Sequence, residues 1–379
     1  MRSVAGVVGA GRWCSRCMGA ARAGKQRAMT RIAAVRGALP PHRYPQAEIT
    51  EAFAAMCLPA GADRRVLERV HAGARVDTRH LALPLDHYAK LDDFGAANDA
   101  YLDVAVELAA EALESALGAA GLGARDLDLI VFTTVTGLAV PSIDARLVGR
   151  LGLRRDIKRL PVFGLGCVAG VAGIARVHDY LRGWPEHVAA LVSVELCSLT
   201  LQRDDASIAN LVAGALFGDG AAALIACGDA RTGPGHGPRV VSSRSRMYPD
   251  SARVMGWDIG GSGFRIVLDA TVPAVVREYL ADDVRLFLAE HDLTTADITA
   301  WVCHPGGPKV LEAIEEVLEL PSGALDSTWR SLAATGNLSS TSVLHVLRDT
   351  MAARPDPGTP GLMIAMGPGF CSELVLLEW

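Results

Sequence analysis

The sequence predicts an α/β protein assembled from two similar halves, and three observations carry that expectation. From Met29 onward, short β-branched or apolar runs alternate with stretches of helical periodicity. A Gly- and Pro-rich stretch, "GDARTGPGHGP" at 228–238, interrupts the alternation, which then restarts. The order of elements also repeats: "DLDLIVFTTVTG" is matched in outline by "DITAWVCHPGG", and "LFGDGAAALIAC" by "MIAMGPGFCSELVLL". The expected division is 29–238 and 239–379, with residues 1–28 outside both halves.

In the first half, "RIAAVRGALP" reads as a strand stopped by Pro40 and Pro41. "AANDAYLDVAVELAAEALESALGAAGL" spaces its apolar residues at helical intervals and ends at Gly121, a long amphipathic helix. "LDLIVFTTVTG" (127–137) is a short buried strand running into a "VPS" turn. "PVFGLGCVAGVAGIARVHDYL" (161–181) passes from an apolar run through a glycine bracket into a helix. "HVAALVSVELCSL" is a strand, and "ANLVAGALFGDGAAALIAC" is a helix, a GDG turn and a strand. In the second half, "TVPAVVREYLADDVRLFLAEHDL" is helical and "ITAWVCHPGG" is a strand into a turn. "PKVLEAIEEVLEL" is a helix, "NLSSTSVLHVLRDTMAARP" is a helix stopped by Pro355, and "GLMIAMGPGFCSELVLLEW" is a strand, a turn and a strand.

Composition narrows the function classes. Half of the 379 residues are hydrophobic, which suits a globular chain with a large core. The 37 basic and 42 acidic residues leave a formal charge of −5 with no basic patch, so nucleic acid is excluded as a main partner. No apolar run reaches the roughly 18–20 residues that a bilayer span needs. Eight cysteines, at 14, 17, 57, 167, 197, 227, 303 and 371, are scattered without a secretory leader, which points to reduced thiols and a cytoplasmic protein. Cys14 and Cys17 form a lone CxxC with no second pair and no histidine cluster, so no metal is expected. Residues 1–28 carry several arginines and no acid, the first acid being Glu48; they read as a disordered tail or a start assigned too early.

Three residues carry candidate chemistry. Cys167 follows Gly164 and Gly166 and precedes Val168, Ala169 and Gly170. That segment alone fits two readings: a small buried cysteine in a tight corner, or a thiolate favoured by a helix N-terminus with backbone amides close to a bound carbonyl. His304 ends a strand ahead of Pro305, Gly306 and Gly307, at the end of an α/β strand where ligand sites lie. Asn337, beside Gly336, reads by itself as a helix cap. Together they form a nucleophile, a base and a polar donor, each beside glycine at an element boundary. Such a Cys–His pair can settle as thiolate and imidazolium, and His304 and Asn337 can donate to the oxyanion of a thioester carbonyl.

With these residues the chain resembles the type III polyketide synthases, the chalcone-synthase-like branch of the thiolase-fold condensing enzymes. "GLGCVAGVAGIARVHDYL", "LFGDGAAALI", "CHPGGPKVLEAIEEVLEL", "GNLSSTSVLHVL" and "MGPGFCSEL" occur in the family's order from about Met29 to Trp379. The resemblance implies a thiolase-like fold, two βαβ-type halves in a layered α/β/α/β/α core, and a homodimer. It implies that Cys167 holds the acyl chain while His304 and Asn337 drive malonyl-CoA decarboxylation. It implies acyl-CoA and malonyl-CoA (or alkylmalonyl-CoA) as substrates, with an acyl carrier protein as an alternative starter donor and no further cofactor or metal. Phe217 and Phe264 match gatekeeping aromatics, and Gly367, Pro368 and Gly369 of "MGPGF" shape the cavity wall. Val135, Val140, Cys197 and Thr200 are expected to line it.

Around the CoA entrance Arg69 is kept, a matching lysine is lost at Gly73, and Arg64, Arg65 and Lys309 are the other candidate cations. The apolar lining favours an aliphatic starter. The "SVELCSLTLQRDDASIANLVAG" stretch looks like bacterial alkylpyrone- or alkylresorcinol-forming members. The rivals are a β-ketoacyl carrier-protein synthase III, which makes one condensation with the same triad, and a non-catalytic scaffold dimer.

Overall fold

The structure, a computed structural model, describes residues 29–59, 61–231 and 237–379. The expectations for residues 1–28, including Cys14 and Cys17, lie outside the described residues. In chain order the first half contains β1 (Thr30–Ala38), β2 (His42–Pro45), α1 (Gln46–Cys57), α2 (Arg65–Gly73), β3 (Thr78–Leu81), α3 (Phe94–Ala120), β4 (Leu129–Thr134), α4 (Ile143–Leu151), β5 (Lys158–Phe163), α5 (Ala169–Gly183), β6 (Val188–Leu196), α6 (Ile208–Leu216) and β7 (Asp219–Gly228). The second contains β8 (Arg239–Met247), β9 (Met255–Gly260), β10 (Gly263–Leu268), α7 (Val272–Ala289), β11 (Ala300–Cys303), α8 (Pro308–Val317), α9 (Asp326–Thr335), α10 (Ser342–Ala353), β12 (Pro360–Gly367) and β13 (Cys371–Glu378).

Nine strands form one sheet in the order β11-β12-β13-β8-β1-β7-β6-β4-β5. Its two wings repeat each other. β1 runs antiparallel to β7, β7 antiparallel to β6, and β6 parallel to β4. Likewise β8 is antiparallel to β13, β13 antiparallel to β12, and β12 parallel to β11. The wings meet where β1 pairs antiparallel with β8, in register only at Thr30–Val240 and Arg31–Arg239.

Three layers of apolar packing give the sheet its helices. Ala105, Leu113 and Leu117 of α3 cover one wing against Ile130, Val192 and Ala223. Leu280 and Val284 of α7 cover the other with Leu311 of α8, against Leu362 and Leu374. Between the wings lie α5 and α10, whose Val171, Ile174, Val343 and Leu347 meet Leu191, Leu224, Met363 and Val375 from both. This is the α/β/α/β/α layering of the thiolase fold. The central helices are nearly all buried, which is why α5 is written in small residues: a Cβ on Gly170 would stand 2.4 Å from the Ser340 carbonyl oxygen.

Local signals were accurate where they were chemical. Asp93 caps α3, its Oδ1 accepting from the Ala96 amide at 2.8 Å, and Gly121 ends it at φ 66°. Two expected turns are corrected. The GDG stretch holds no turn, because Asp219 and Gly220 already belong to β7. Asn337 does not cap α10; a 3-10 turn, Ser339–Thr341, intervenes. Helix α9 and the β9–β10 hairpin, which pairs with no other strand, had no clear periodicity to announce them. No helix among the described residues is long and apolar enough to cross a membrane.

Candidate active site

Strand β5 ends at Phe163 and the chain turns through Gly164 and Gly166 into one 3-10 turn, Gly166–Val168, that feeds α5. Gly166 has φ +57°, and a Cβ there would lie 2.7 Å from the ring of Pro368, so both backbone and packing require glycine. The glycine bracket therefore brings the "MGPGF" loop down onto Cys167, which is 6% exposed.

Cys167 lines two cavities at once. The larger, of about 310 Å³, extends over Val135, Cys197, Thr200 and Pro368 to α1 and the β9–β10 hairpin. The smaller, of about 30 Å³, contains His304 and Asn337. Phe217 and Met255 also line both, so Phe217 stands at the partition between them.

Asn337 is fixed by backbone and side chain together. Its N–H donates to the Leu216 carbonyl at 2.8 Å and its own carbonyl accepts from Gly218 at 3.0 Å, a bridge across Phe217. Its Oδ1 accepts from the Ser339 amide at 2.8 Å and its Nδ2 donates to Gly306 oxygen at 3.4 Å. His304 is held through its backbone, donating to Ile364 oxygen at 2.8 Å, while both ring nitrogens lack a protein partner. Buried polar atoms without partners are costly, and here they face a cavity in which a substrate can satisfy them.

Burial dominates the electrostatics of Cys167 and His304. Burial pushes the Cys167 thiol up to about 12 and the His304 imidazole down to about 3. For both groups burial disfavours the charged form. Sequence reasoning missed a second set of groups behind the thiol. Ser339 Oγ lies 3.8 Å from Cys167 Sγ and donates to Glu195 Oε1 at 3.3 Å. Glu195, fully buried on β6, also accepts from Val135 N–H and Thr136 Oγ1, both at 3.0 Å, and from Ser340 Oγ. Burial raises its carboxyl to about 7. In sequence it is one acid in an apolar strand, with nothing to mark it.

Other expected positions separate. Phe264 does not line the cavity; it is buried behind it, in ring contact with Phe94, Phe163 and Trp257, and the last two line the wall. Gly367 and Gly369 carry Pro368 without lining the cavity themselves. Val140 stands 98% exposed beside Pro141 and does not line this chain's own cavity. Arg64 and Arg65 are occupied by Glu51 and Asp63 at 2.7 and 2.8 Å, whereas Arg69 and Lys309 are exposed. Among the described residues, no group of His, Cys, Asp or Glu is placed to hold a metal ion.

The family models for chalcone and stilbene synthases match this chain along nearly its whole length, the N-terminal domain over residues 18–230 and the C-terminal domain over 239–378. The chain belongs to the chalcone and stilbene synthase family. It is a type III polyketide synthase, an acyltransferase acting on CoA thioesters. It is 62% identical over 353 residues to a 1,3,6,8-tetrahydroxynaphthalene synthase of Streptomyces peucetius subsp. caesius, covering 92% of this chain and 93% of the relative. It is 34% identical to a putative chalcone synthase of Bacillus subtilis, covering 80% and 86%. A solved structure of the 1,3,6,8-tetrahydroxynaphthalene synthase of Streptomyces coelicolor A3(2), described as a bacterial type III polyketide synthase, superposes with TM-score 0.87 at 29% identity, covering 92% of this chain and 99% of that one. The single-condensation alternative finds no support in these matches.

Proposed function

We propose that this synthase builds a polyhydroxylated aromatic from malonyl-CoA alone, holding the growing chain on Cys167. The position of Cys167 at the junction of two cavities is the observation that carries the reaction. His304 and Asn337, in the small cavity, meet malonyl-CoA as it loses carbon dioxide and hold the enolate oxygen. The enolate carbon attacks the Cys167 thioester past Phe217, and the lengthened chain extends into the large cavity. Kinship supports the product class. The naphthalene named for the 62% relative has an even-numbered carbon skeleton with hydroxyls and no alkyl tail. Such a skeleton can be assembled wholly from malonyl-derived two-carbon units, without a fatty acyl starter.

An aliphatic starter, with alkylpyrone or alkylresorcinol as product, is the second reading. It is favoured by the wall that Ile49, Ala52, Phe53 and Met56 of α1 present to the large cavity. Purified protein given only malonyl-CoA separates the two by mass spectrometry. The proposal expects tetrahydroxynaphthalene or its oxidation product; turnover only after adding a fatty acyl-CoA would refute it.

The expected homodimer is part of the proposal. Strand β5 is the sheet's edge, paired only with β4, and Leu138, Val140, Leu160 and Phe163 stand exposed along and beside it. A second copy pairing at this edge would cover them, Val140 included. An acyl carrier protein as starter donor is not needed when every unit arrives as malonyl-CoA.

A further inference from the structure

Among the residues lining the large cavity only Arg79, from β3, carries a charge. It is 2% exposed. Its Nε donates to Gln46 Oε1 at 3.0 Å and its Nη1 to the Phe217 carbonyl at 2.7 Å, but its Nη2 has no partner. Among the described residues no carboxylate pairs with it. The acid whose charge most favours it is Asp219, and the Asp219 carboxylate is already taken by the amides of Ala82 and Ser198, at 2.6 and 2.8 Å, and by the Ser198 hydroxyl. Burial lowers Arg79 only to about 10, so it stays cationic at neutral pH.

A buried cation with a free N–H and no counter-ion is an expensive feature, and a ligand anion relieves it. The hydrogen bonds to Gln46 and Phe217 explain where the guanidinium sits, yet a neutral donor would serve them equally well. We propose that Arg79 is a binding residue for a carboxylate at the far end of the acyl group carried on Cys167. The cavity would accordingly accept half-thioesters of dicarboxylic acids, the malonyl group being the shortest. The contact is a charge-assisted N–H···O bond from Nη2, in an otherwise apolar chamber where such a bond is strong. This rests on the reading of Cys167 as nucleophile and deepens it by naming the class of starter.

The test loads the full chain from CoA thioesters matched in length, succinyl- against butyryl-CoA and glutaryl- against pentanoyl-CoA. In each transfer the Cys167 Sγ–carbonyl bond forms, the CoA sulfur–carbonyl bond breaks, and the thiol proton leaves on CoA. Intact-mass spectrometry gives the ratio of loading rates within each pair. The wild type should favour the carboxylated member by roughly tenfold, Arg79→Gln should bring the ratio near unity, and Arg79→Lys should retain part of it. Protection of wild-type Cys167 from iodoacetamide by free glutarate but not by pentanoate gives the same answer without a variant. Equal or inverted ratios in the wild type, or an undiminished ratio in Arg79→Gln, overturn the proposal. Loading neither by these thioesters nor by malonyl-CoA overturns the nucleophile assignment beneath it.

Discussion

Replacing Cys167 by alanine should abolish polyketide formation, a loss of roughly 10⁴-fold or more, while malonyl-CoA decarboxylation persists. The separation follows from the geometry. Cys167 is shared by two cavities, but His304 and Asn337 sit only in the small one, so a variant without the thiol keeps the groups that hold the enolate. The substitution removes a single buried sulfur that makes one long contact with Ser339, so the fold should survive at a cost of about 1 kcal/mol. Release of labelled carbon dioxide, with mass spectrometry of any product, reads both activities. Chain extension by the variant would place the nucleophile elsewhere. Cys197 is the only other cysteine in the large cavity.

His304→Ala should lower turnover by about 10²- to 10⁴-fold, because it removes both the proton acceptor of the thiol and a donor to the oxyanion. Its pH behaviour distinguishes these roles from a structural one. Burial is the largest cause holding the thiol at about 12, so without the imidazole as proton acceptor thiolate accumulates only as pH rises toward that value. The rate of iodoacetamide labelling at Cys167, read on its peptide, should fall roughly tenfold or more at pH 7 and recover in alkali. Burial lowers the imidazole to about 3, so it stands neutral with a ring lone pair available throughout the neutral range. An unchanged labelling profile in His304→Ala would show that the histidine does not take the thiol proton.

The sequence carried the candidate catalytic residues and the two-part rhythm because both are written locally. Cys167, His304 and Asn337 each sit beside glycines at element ends, and the matched segments around β4 and β11 occupy equivalent places in the two wings. What it hid depends on distant partners. Arg79, Glu195 and Ser339 look like ordinary residues of a short strand, an apolar strand and a turn. Only the fold sets Glu195 behind Val135 and Ser339, or Arg79 behind Phe217. Val140 shows the converse: an apolar residue near a cavity-lining segment need not face that cavity, and this one faces outward.

Phe217 was legible as an aromatic and Phe264 as its companion, but their depths were not. Phe264 is shielded by Trp257 and Phe163, so the hairpin ring that lines the cavity is Trp257. The expectation of an aliphatic starter rested on the apolar wall alone. Apolar wall residues are frequent and easy to count, whereas the one charge among them, from a four-residue strand, comes into view only when the cavity is closed around it.

The central claim is that the growing chain is carried on Cys167, and peptide-mapped mass spectrometry of protein quenched during turnover with malonyl-CoA tests it most directly. The account predicts malonyl-derived acyl mass increments on the peptide containing Cys167 and none on the peptide containing Cys197. Increments on Cys197 with Cys167 unmodified would contradict it.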